Sequence, residues 1–239
     1  MMDQEHIASA YDRDLDRVQS LIMRMGGMVE TAISDAARAL EMRDTELADQ
    51  VRANDKLIDA LEEQIASEVA RVIAVRSPTA GDLRTVLSVL KISGNLERMG
   101  DYAKNLGKRT SVLSEMPAIS GSGGALRRMT QLVNVMLKDA LDAYIQRDVE
   151  LAEDVRQRDA DVDQMYNALF REFLTHMMED PRNITACMHL HFIAKNVERM
   201  GDHVTSICEQ VIYLVDGELP EDDRLKQDRT SYDISVSKV

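Results

Sequence analysis

Acidic side chains spaced four positions apart are the residues of this chain best suited to chemistry. Residues at that spacing share one face of an α-helix, with their Cβ atoms about 6 Å apart, so two carboxylates can approach one cation together. The pairs Asp55/Asp59 and Glu97/Asp101 have this spacing. Acidic pairs four apart are about as frequent in this sequence as random placement predicts, so spacing alone does not identify a site.

Recurrence in register between the two halves of the chain is a stricter condition, and only two kinds of acidic pair meet it. If consecutive helices pack antiparallel, the pairs on the second and third helix of each half can face each other, and four carboxylates meet. Clustered like charges are costly unless protons, Arg or Lys partners, or metal ions compensate them. Oxygen ligands of this kind favour Mg, Mn, Ca, Fe or Zn. The candidate metal ligands are Asp55, Asp59, Glu97, Asp101, Asp159, Asp163, Glu198 and Asp202.

The competing interpretation is that these acids line a solvated helix face and pair with Arg98, Arg199 or nearby lysines. Two glycines argue against it, because Gly100 and Gly201 lie between the acids of each third-helix pair. A glycine inside a helix costs about 1 kcal/mol relative to alanine, and its presence indicates that another element approaches closely. The duplicated pairs therefore favour a site, although common ancestry of the halves would also preserve them.

The elements that must position these acids are helices with a repeated apolar pattern. In the first helix, apolar residues recur at spacings of three and four, which is typical of a bundle-forming seam. Six of them have apolar counterparts 104 positions later. The offset falls to 101 after the turns marked by Pro78 and Pro181, where a change in length is cheapest. The segment at 95–101 recurs almost unchanged at 196–202, so the chain contains an internal duplication.

The composition agrees with an all-α fold. Four prolines, eleven glycines and 4% aromatic residues are poor material for many short strands, whereas helix formers are abundant. We predict two tandem, pseudo-symmetric three-helix bundles of long antiparallel helices. Their expected limits are 12–116 for the first bundle, 117–124 for a Gly/Ser-rich linker, 125–216 for the second bundle and 217–239 for a polar tail.

The charge and the apolar pattern restrict the class of partner. A net charge of −13 repels phosphate backbones and anionic lipid surfaces, so nucleic-acid binding is disfavoured. No run of about 18 uncharged apolar residues occurs, and the first residues lack the pattern of a secretion signal. Two cysteines are too few for a disulfide framework. We expect a cytoplasmic protein without stable membrane insertion.

No catalytic residues are predicted. The chain lacks Glu-x-x-His ligand pairs, a Walker loop and a nucleophile elbow. His189 and His191 are two positions apart on a helix and cannot readily ligate one ion from one face. The position equivalent to His203 in the first half is Tyr102, so a metal role for His203 would be particular to one copy.

The segments Asn-Leu-Glu-Arg-Met-Gly-Asp at 95–101 and Asn-Val-Glu-Arg-Met-Gly-Asp at 196–202, each preceded by an Asp-x-x-x-Asp helix, closely resemble the PhoU family of phosphate-uptake regulators. The match covers about residues 12–216. The resemblance implies a cytoplasmic, often homodimeric accessory protein of the phosphate ABC transporter. It also implies negative control of the starvation response, by coupling the transporter ATPase to a phosphate-sensing histidine kinase. Some members bind iron or zinc clusters at these motifs, and by position that role falls on the eight acids named above.

Three hypotheses follow for the function. The first is a binding and signalling adaptor without catalytic activity. The second is a metal-dependent hydrolase or redox enzyme, because metal-bound water can serve as a nucleophile. The third is a plain helical scaffold in which the acids form salt bridges. The residues do not name the native metal, because a carboxylate cluster accepts whichever hard cation is available.

Overall fold

The computed structural model describes residues 2–220, with the backbone alone for residues 2–10, Asp12 and Ala80. Every long element within that range is a helix, and the range contains no strand. The helices are α1 (Met2–Met42), α2 (Thr45–Arg76), α3 (Ala80–Ser114), α4 (Ser122–Gln146), α5 (Val149–Glu179) and α6 (Ile184–Asp216). A short 3-10 turn, Pro181–Asn183, precedes α6. Most of the predicted tail, residues 221–239, lies outside the described residues.

Each half of the chain forms a three-helix bundle, so the predicted fold class is confirmed. Helices α1, α2 and α3 pack against one another, as do α4, α5 and α6. The bundles then join along two seams, α3 against α6 and α1 against α4. The predicted apolar stripe is part of this interior, since Ile22, Met25 and Val29 are fully buried and so are their counterparts Leu126, Met129 and Val133. One continuous core therefore spans both halves.

The turns that precede α2 and α5 have the same backbone conformation and the same type of N-cap. Arg43 and Arg147 adopt left-handed backbone conformations, with φ of 56° and 54°. The next residue in each turn is the N-cap, and Asp44 and Asp148 each accept a backbone hydrogen bond from the residue three positions on, at 3.0 Å. An aspartate cap satisfies an N–H group that the first helical turn leaves without a partner. The acidic helix of each half thus begins with the same backbone turn and the same aspartate cap.

Arg43 is expected to contribute more to stability than its counterpart Arg147. The Arg43 guanidinium donates to the carbonyls of Leu113, Ser114 and Met116 at the end of α3, whereas the exposed Arg147 makes no such contact with the described residues. Hydrogen bonds from a charged donor contribute about 1.5–3 kcal/mol. Chemical denaturation should show that Arg43→Ala lowers the free energy of unfolding by about 2 kcal/mol. Arg147→Ala has the same backbone strain and is the matched control, and an equal loss in both variants would contradict the prediction.

Asp14 ties α1 to the end of α2 in a way that acid should break. Arg71 lies 2.7 Å and Arg76 3.0 Å from its carboxylate. Hydrogen bonds from Arg71 and then Arg76 hold the pKa of Asp14 below its ordinary value. A lowered carboxyl pKa stabilises the fold above the unfolded-state pKa, and that stability is lost as pH falls through the folded-state pKa.

We therefore expect Asp14→Asn to lower the free energy of unfolding by about 1 kcal/mol at pH 7. The difference from the wild type should shrink as the pH falls below the ordinary carboxyl value of 3.8, which urea unfolding across that range would measure. Asp35→Asn is the control, because Asp35 contacts only the neighbouring Arg38 of its own helix among the salt bridges of the described residues. A difference that persists undiminished in acid would show that the charge of Asp14 is not responsible.

Candidate metal centre

The antiparallel packing of α2 and α3 brings the first four predicted acids together. Asp55 and Asp59 come from α2, and Glu97 and Asp101 come from α3. Burial raises the pKa of Asp59, and the nearby charges of Asp55 and Asp101 raise it further. Burial also raises the pKa of Glu97, with Asp101 as the next contribution. These mutual effects show that the four carboxylates, which we call the first cluster, share one electrostatic environment.

A lysine that the sequence analysis did not single out lies within the first cluster. Lys104 pairs with Asp55 Oδ2 and lies 3.2 Å from Asp101 Oδ1, so it connects α2 to α3. The hydrogen bond to Asp55, followed by that to Asp101, raises the pKa of Lys104 to about 12. Asp55 is only 3% exposed, and its other oxygen, Oδ1, receives no hydrogen bond from any residue described in the structure. The available sequence signal was the position of Lys104, three residues after Asp101 on the same helix.

The other four predicted acids, the second cluster, lie between α5 and α6. Asp159, Asp163 and Glu198 are buried, and Asp202 is half-buried. Asp159 lies against the backbone of Gly201, where a Cβ would come within 2.6 Å of its Oδ1. The glycine inferred to mark a close approach therefore does so, and the approaching group is one of the candidate ligands itself.

The second cluster also contains a lysine, but at a different place. Lys195 Nζ lies 2.8 Å from Glu198 Oε1. The same ammonium lies 4.9 Å from the centre of the Tyr166 ring, within the range of a cation–π interaction. Lys195 precedes its glutamate by three residues on α6, whereas Lys104 follows its aspartate.

The seam between α3 and α6 separates the two clusters. The helices are antiparallel, since Asn95 Oδ1 lies 2.8 Å from His203 Nδ1, and Arg109 Nη1 lies 3.2 Å from His189 Nδ1. Burial lowers the pKa of both histidines. His191 lies among aromatic rings, including that of Phe170 at 5.4 Å. His189 and His203 on α6 thus contact Arg109 and Asn95 of α3 across this seam.

The donor chemistry of the clusters fits a hard divalent cation. Each supplies four carboxylates from two helices, and Asp55 presents a buried oxygen that has no donor among the described residues. Within residues 2–220, however, no three His, Cys, Asp or Glu side chains are grouped closely enough to hold a metal as they stand. Direct ligation therefore requires side-chain movement, which in the first cluster includes Lys104.

The two cysteines are poorly suited to act as nucleophiles. Cys187 and Cys208 are buried and free, and burial raises the pKa of both thiols, which disfavours the reactive thiolate. Among residues 2–220, no helix is both long and apolar enough to cross a lipid bilayer.

The fold and the two clusters define a class of helical proteins in which one acid-lined three-helix unit occurs twice. The family model for the PhoU domain matches this repeat, at residues 22–110 and again at residues 126–211. The chain belongs to the PhoU family, as the sequence motifs indicated.

This chain is similar to several relatives and solved structures over most of its length. A protein of Rhizobium meliloti named phosphate-specific transport system accessory protein PhoU homolog is 43% identical over 236 residues, which cover 96% of this chain and 97% of that protein. A homologue of the same name from Zymomonas mobilis is 46% identical, covering 92% and 93%. The crystal structure of PhoU from Pseudomonas aeruginosa has a TM-score of 0.84 at 39% identity, and covers 87% of this chain and 100% of its own. The phosphate transport system regulatory protein PhoU from Streptococcus pneumoniae has a TM-score of 0.81 at 30% identity, covering 88% and 99%.

Proposed function

We propose that this protein is a regulator of phosphate uptake that acts as an accessory protein of a phosphate-specific transport system. The observation that carries the proposal is the near full-length similarity to proteins named for that role. We further propose that it works in the cytoplasm as a homodimer. There it would couple the transporter ATPase to a phosphate-sensing histidine kinase and repress the starvation response when phosphate is plentiful.

A binding role is consistent with the surface of the second bundle. Ile184, Met188 and Phe192 recur every four residues along α6, and each is at least 39% exposed. The guanidinium of Arg109 lies 4.4 Å from the centre of the Phe192 ring. Neighbouring exposed apolar residues are typical of surfaces that a protein partner covers. We call these three side chains the α6 strip, and propose that the transporter ATPase contacts it.

The acidic clusters would hold metal ions in this proposal. Asp55, Asp59, Glu97 and Asp101 would bind one metal group, and Asp159, Asp163, Glu198 and Asp202 the other, with iron, zinc, Mg, Mn or Ca as candidates. A bound cation would supply positive charge between two helices. The protein's own contribution is to orient α2 against α3 and α5 against α6, and so to determine the surface that partners meet.

The adaptor role can be tested with purified components. The wild-type chain should bind both the transporter ATPase and the kinase in pull-down and calorimetric assays, with and without added metal. Phe192→Glu should abolish ATPase binding, because it places a charge within the α6 strip. Val135→Glu is the matched control, since Val135 is equally exposed but lies on α4. A wild-type chain that binds neither partner under either condition would overturn the adaptor role.

We also propose that the protein is not an enzyme. The metal-loaded chain should therefore release no phosphate from phosphate esters. Turnover that disappears in Glu97→Ala and Glu198→Ala would instead support a metal-dependent hydrolase.

A further inference from the structure

Two cavities, near opposite ends of α1, are related by the internal duplication. One, of about 120 Å³, is lined by Arg43 and Leu113 among others, and we call it the Arg43 cavity. The other, of about 230 Å³, is lined by their counterparts Arg147 and Leu214 among others, and we call it the Arg147 cavity. Eight of the ten residues that line the Arg43 cavity have counterparts, 104 or 101 positions away, that line the Arg147 cavity. The two cavities are therefore copies of one local structure.

The Arg43 cavity is covered by a segment of the chain itself. The non-helical residues 115–121 connect α3 to α4. Within this segment Ile119 lines the cavity and is only 8% exposed, and Met116 packs against the core. The guanidinium of Arg43 donates a hydrogen bond to the backbone carbonyl of Met116. The covering segment therefore supplies apolar side chains to the core and a carbonyl oxygen to the arginine.

The Arg147 cavity has no equivalent cover among the described residues. Arg147 has the same left-handed backbone conformation as Arg43, with φ of 54° and 56°. Its exposed guanidinium nevertheless makes no such hydrogen bond with the described residues. Residues 217–220, which follow α6 as residues 115–121 follow α3, do not line the cavity. The Arg147 cavity accordingly has about twice the volume of its counterpart.

The lining of the Arg147 cavity combines an apolar wall with two hydrogen-bond donors. Val72 and Val89 are buried and form part of the wall. Tyr144 stands where the Arg43 cavity has Leu40, and burial raises the pKa of Tyr144 to about 12, so that its phenol stays protonated and can donate. The guanidinium of Arg147 is the second donor. Two donors beside buried valines are complementary to a peptide segment with apolar side chains and backbone carbonyls.

We propose that the Arg147 cavity is a docking site for a non-helical, apolar segment of a partner protein, held as the Arg43 cavity holds residues 115–121. The partner's backbone carbonyls accept hydrogen bonds from Arg147, and its apolar side chains pack against the valines of the wall. This site is separate from the α6 strip, because the rise along α6 from Phe192 to Leu214 is about 33 Å. The proposal therefore depends neither on ATPase binding to the strip nor on the metal centres.

The test uses a synthetic peptide with the sequence of residues 114–120, capped at both ends and labelled with fluorescein, because this sequence covers the Arg43 cavity. Fluorescence anisotropy should show saturable binding to the full chain. Arg147→Ala should weaken that binding by about tenfold, since it removes a charged donor. Gln19→Trp should also weaken it, because Gln19 is a half-buried residue of the lining and a larger side chain there obstructs the cavity.

Arg128→Ala is the matched control, because Arg128 is an exposed arginine on α4 that does not line the cavity. It should leave peptide binding unchanged, and equal weakening by Arg128→Ala and Arg147→Ala would overturn the proposal. A peptide that carries Met116→Ser and Ile119→Ser should not bind, since it lacks the apolar side chains. Thermal unfolding checks that each variant chain is folded.

Methyl NMR spectra of the full chain show where the peptide binds. The resonances of Val72 and Val89 should shift on addition of the peptide. Shifts confined to Leu40 and Leu113 would place the peptide in the Arg43 cavity and overturn the proposal, as would the absence of saturable binding.

Two other occupants are distinguished by further measurements. If Arg147→Ala and Gln19→Trp each converted a dimer into a monomer in analytical ultracentrifugation, the occupant would be a second copy of this chain. If a peptide with the sequence of residues 221–239 displaced the labelled peptide at a lower concentration than unlabelled peptide does, the occupant would be this chain's own terminal segment. Either result would overturn the assignment to a partner protein.

Discussion

Saturation with divalent metal is expected to raise the free energy of unfolding of this protein by about 5 kcal/mol, and chelation should reverse the gain. A ligand that binds only the folded state stabilises it by about 2.7 kcal/mol at a hundredfold excess over its dissociation constant, and the two clusters provide two such sites. The ligands come from separate helices in each half, so unfolding disperses them and loses the metal.

The measurement combines elemental analysis with thermal unfolding of protein purified without an affinity metal column. The Asp101→Asn/Asp202→Asn variant should lose both the metal and the stabilisation. The control is Asp35→Asn/Asp139→Asn, which changes an equivalent acid in each half on α1 and α4, outside the clusters. A wild type that is metal-free, fully folded and indifferent to added metal would favour the scaffold hypothesis. The proposed role in phosphate uptake would then rest on the family relationship alone.

Replacing Gly201 with leucine is expected to lower the free energy of unfolding by about 3 kcal/mol, because it overpacks the contact between α5 and α6. Even a Cβ at this position would come within 2.6 Å of Asp159 Oδ1 and 3.4 Å of Val162 Cγ1. Asp159 is 4% exposed, so its carboxylate has little room to move aside without disturbing the second cluster.

The matched control is Gly94→Leu on α3, where the added Cβ would meet no described atom within 4 Å apart from the adjacent residues and the local backbone of its own helix. That variant should gain stability, by up to about 1 kcal/mol, because leucine has a higher helix propensity than glycine. Gly100→Leu should lie between the two, since its Cβ would meet the flexible end of Ile58 at 3.1 Å. Equal effects of Gly201→Leu and Gly94→Leu in urea unfolding would show that close packing at Gly201 is not limiting.

The glycine contacts show which features of the packing local sequence patterns can predict. A glycine between two acids of a helical repeat indicated a close neighbour, and Asp159 and Ile58 are those neighbours. The spacing of apolar residues indicated the buried stripe that Ile22, Met25 and Val29 form. Both signals are local, because helical geometry converts sequence spacing directly into a shared face.

The lysine contacts show a feature that such patterns do not predict, namely the partner of a long side chain. Lys104 and Lys195 each stand three residues from a motif acid, so the sequence makes them equivalent neighbours of the clusters. Only the packed helices reveal that Lys104 extends to Asp55 on α2 and that the Lys195 ammonium lies over the ring of Tyr166 on α5. A long flexible side chain selects its partner according to the surrounding helices, and spacing along one helix does not record that choice.

The sequence by itself determined the all-α class, the duplication, the family and which eight acids recur. Those properties follow from residue type and period, which are the same whether or not the chain is folded. Tertiary structure alone decided that α3 packs on α6 and α1 on α4, so that the two bundles share one core with an acidic cluster on each side of the α3 and α6 seam. The reason is physical, since every helix has an apolar face but the choice of partner depends on how all six faces are buried together.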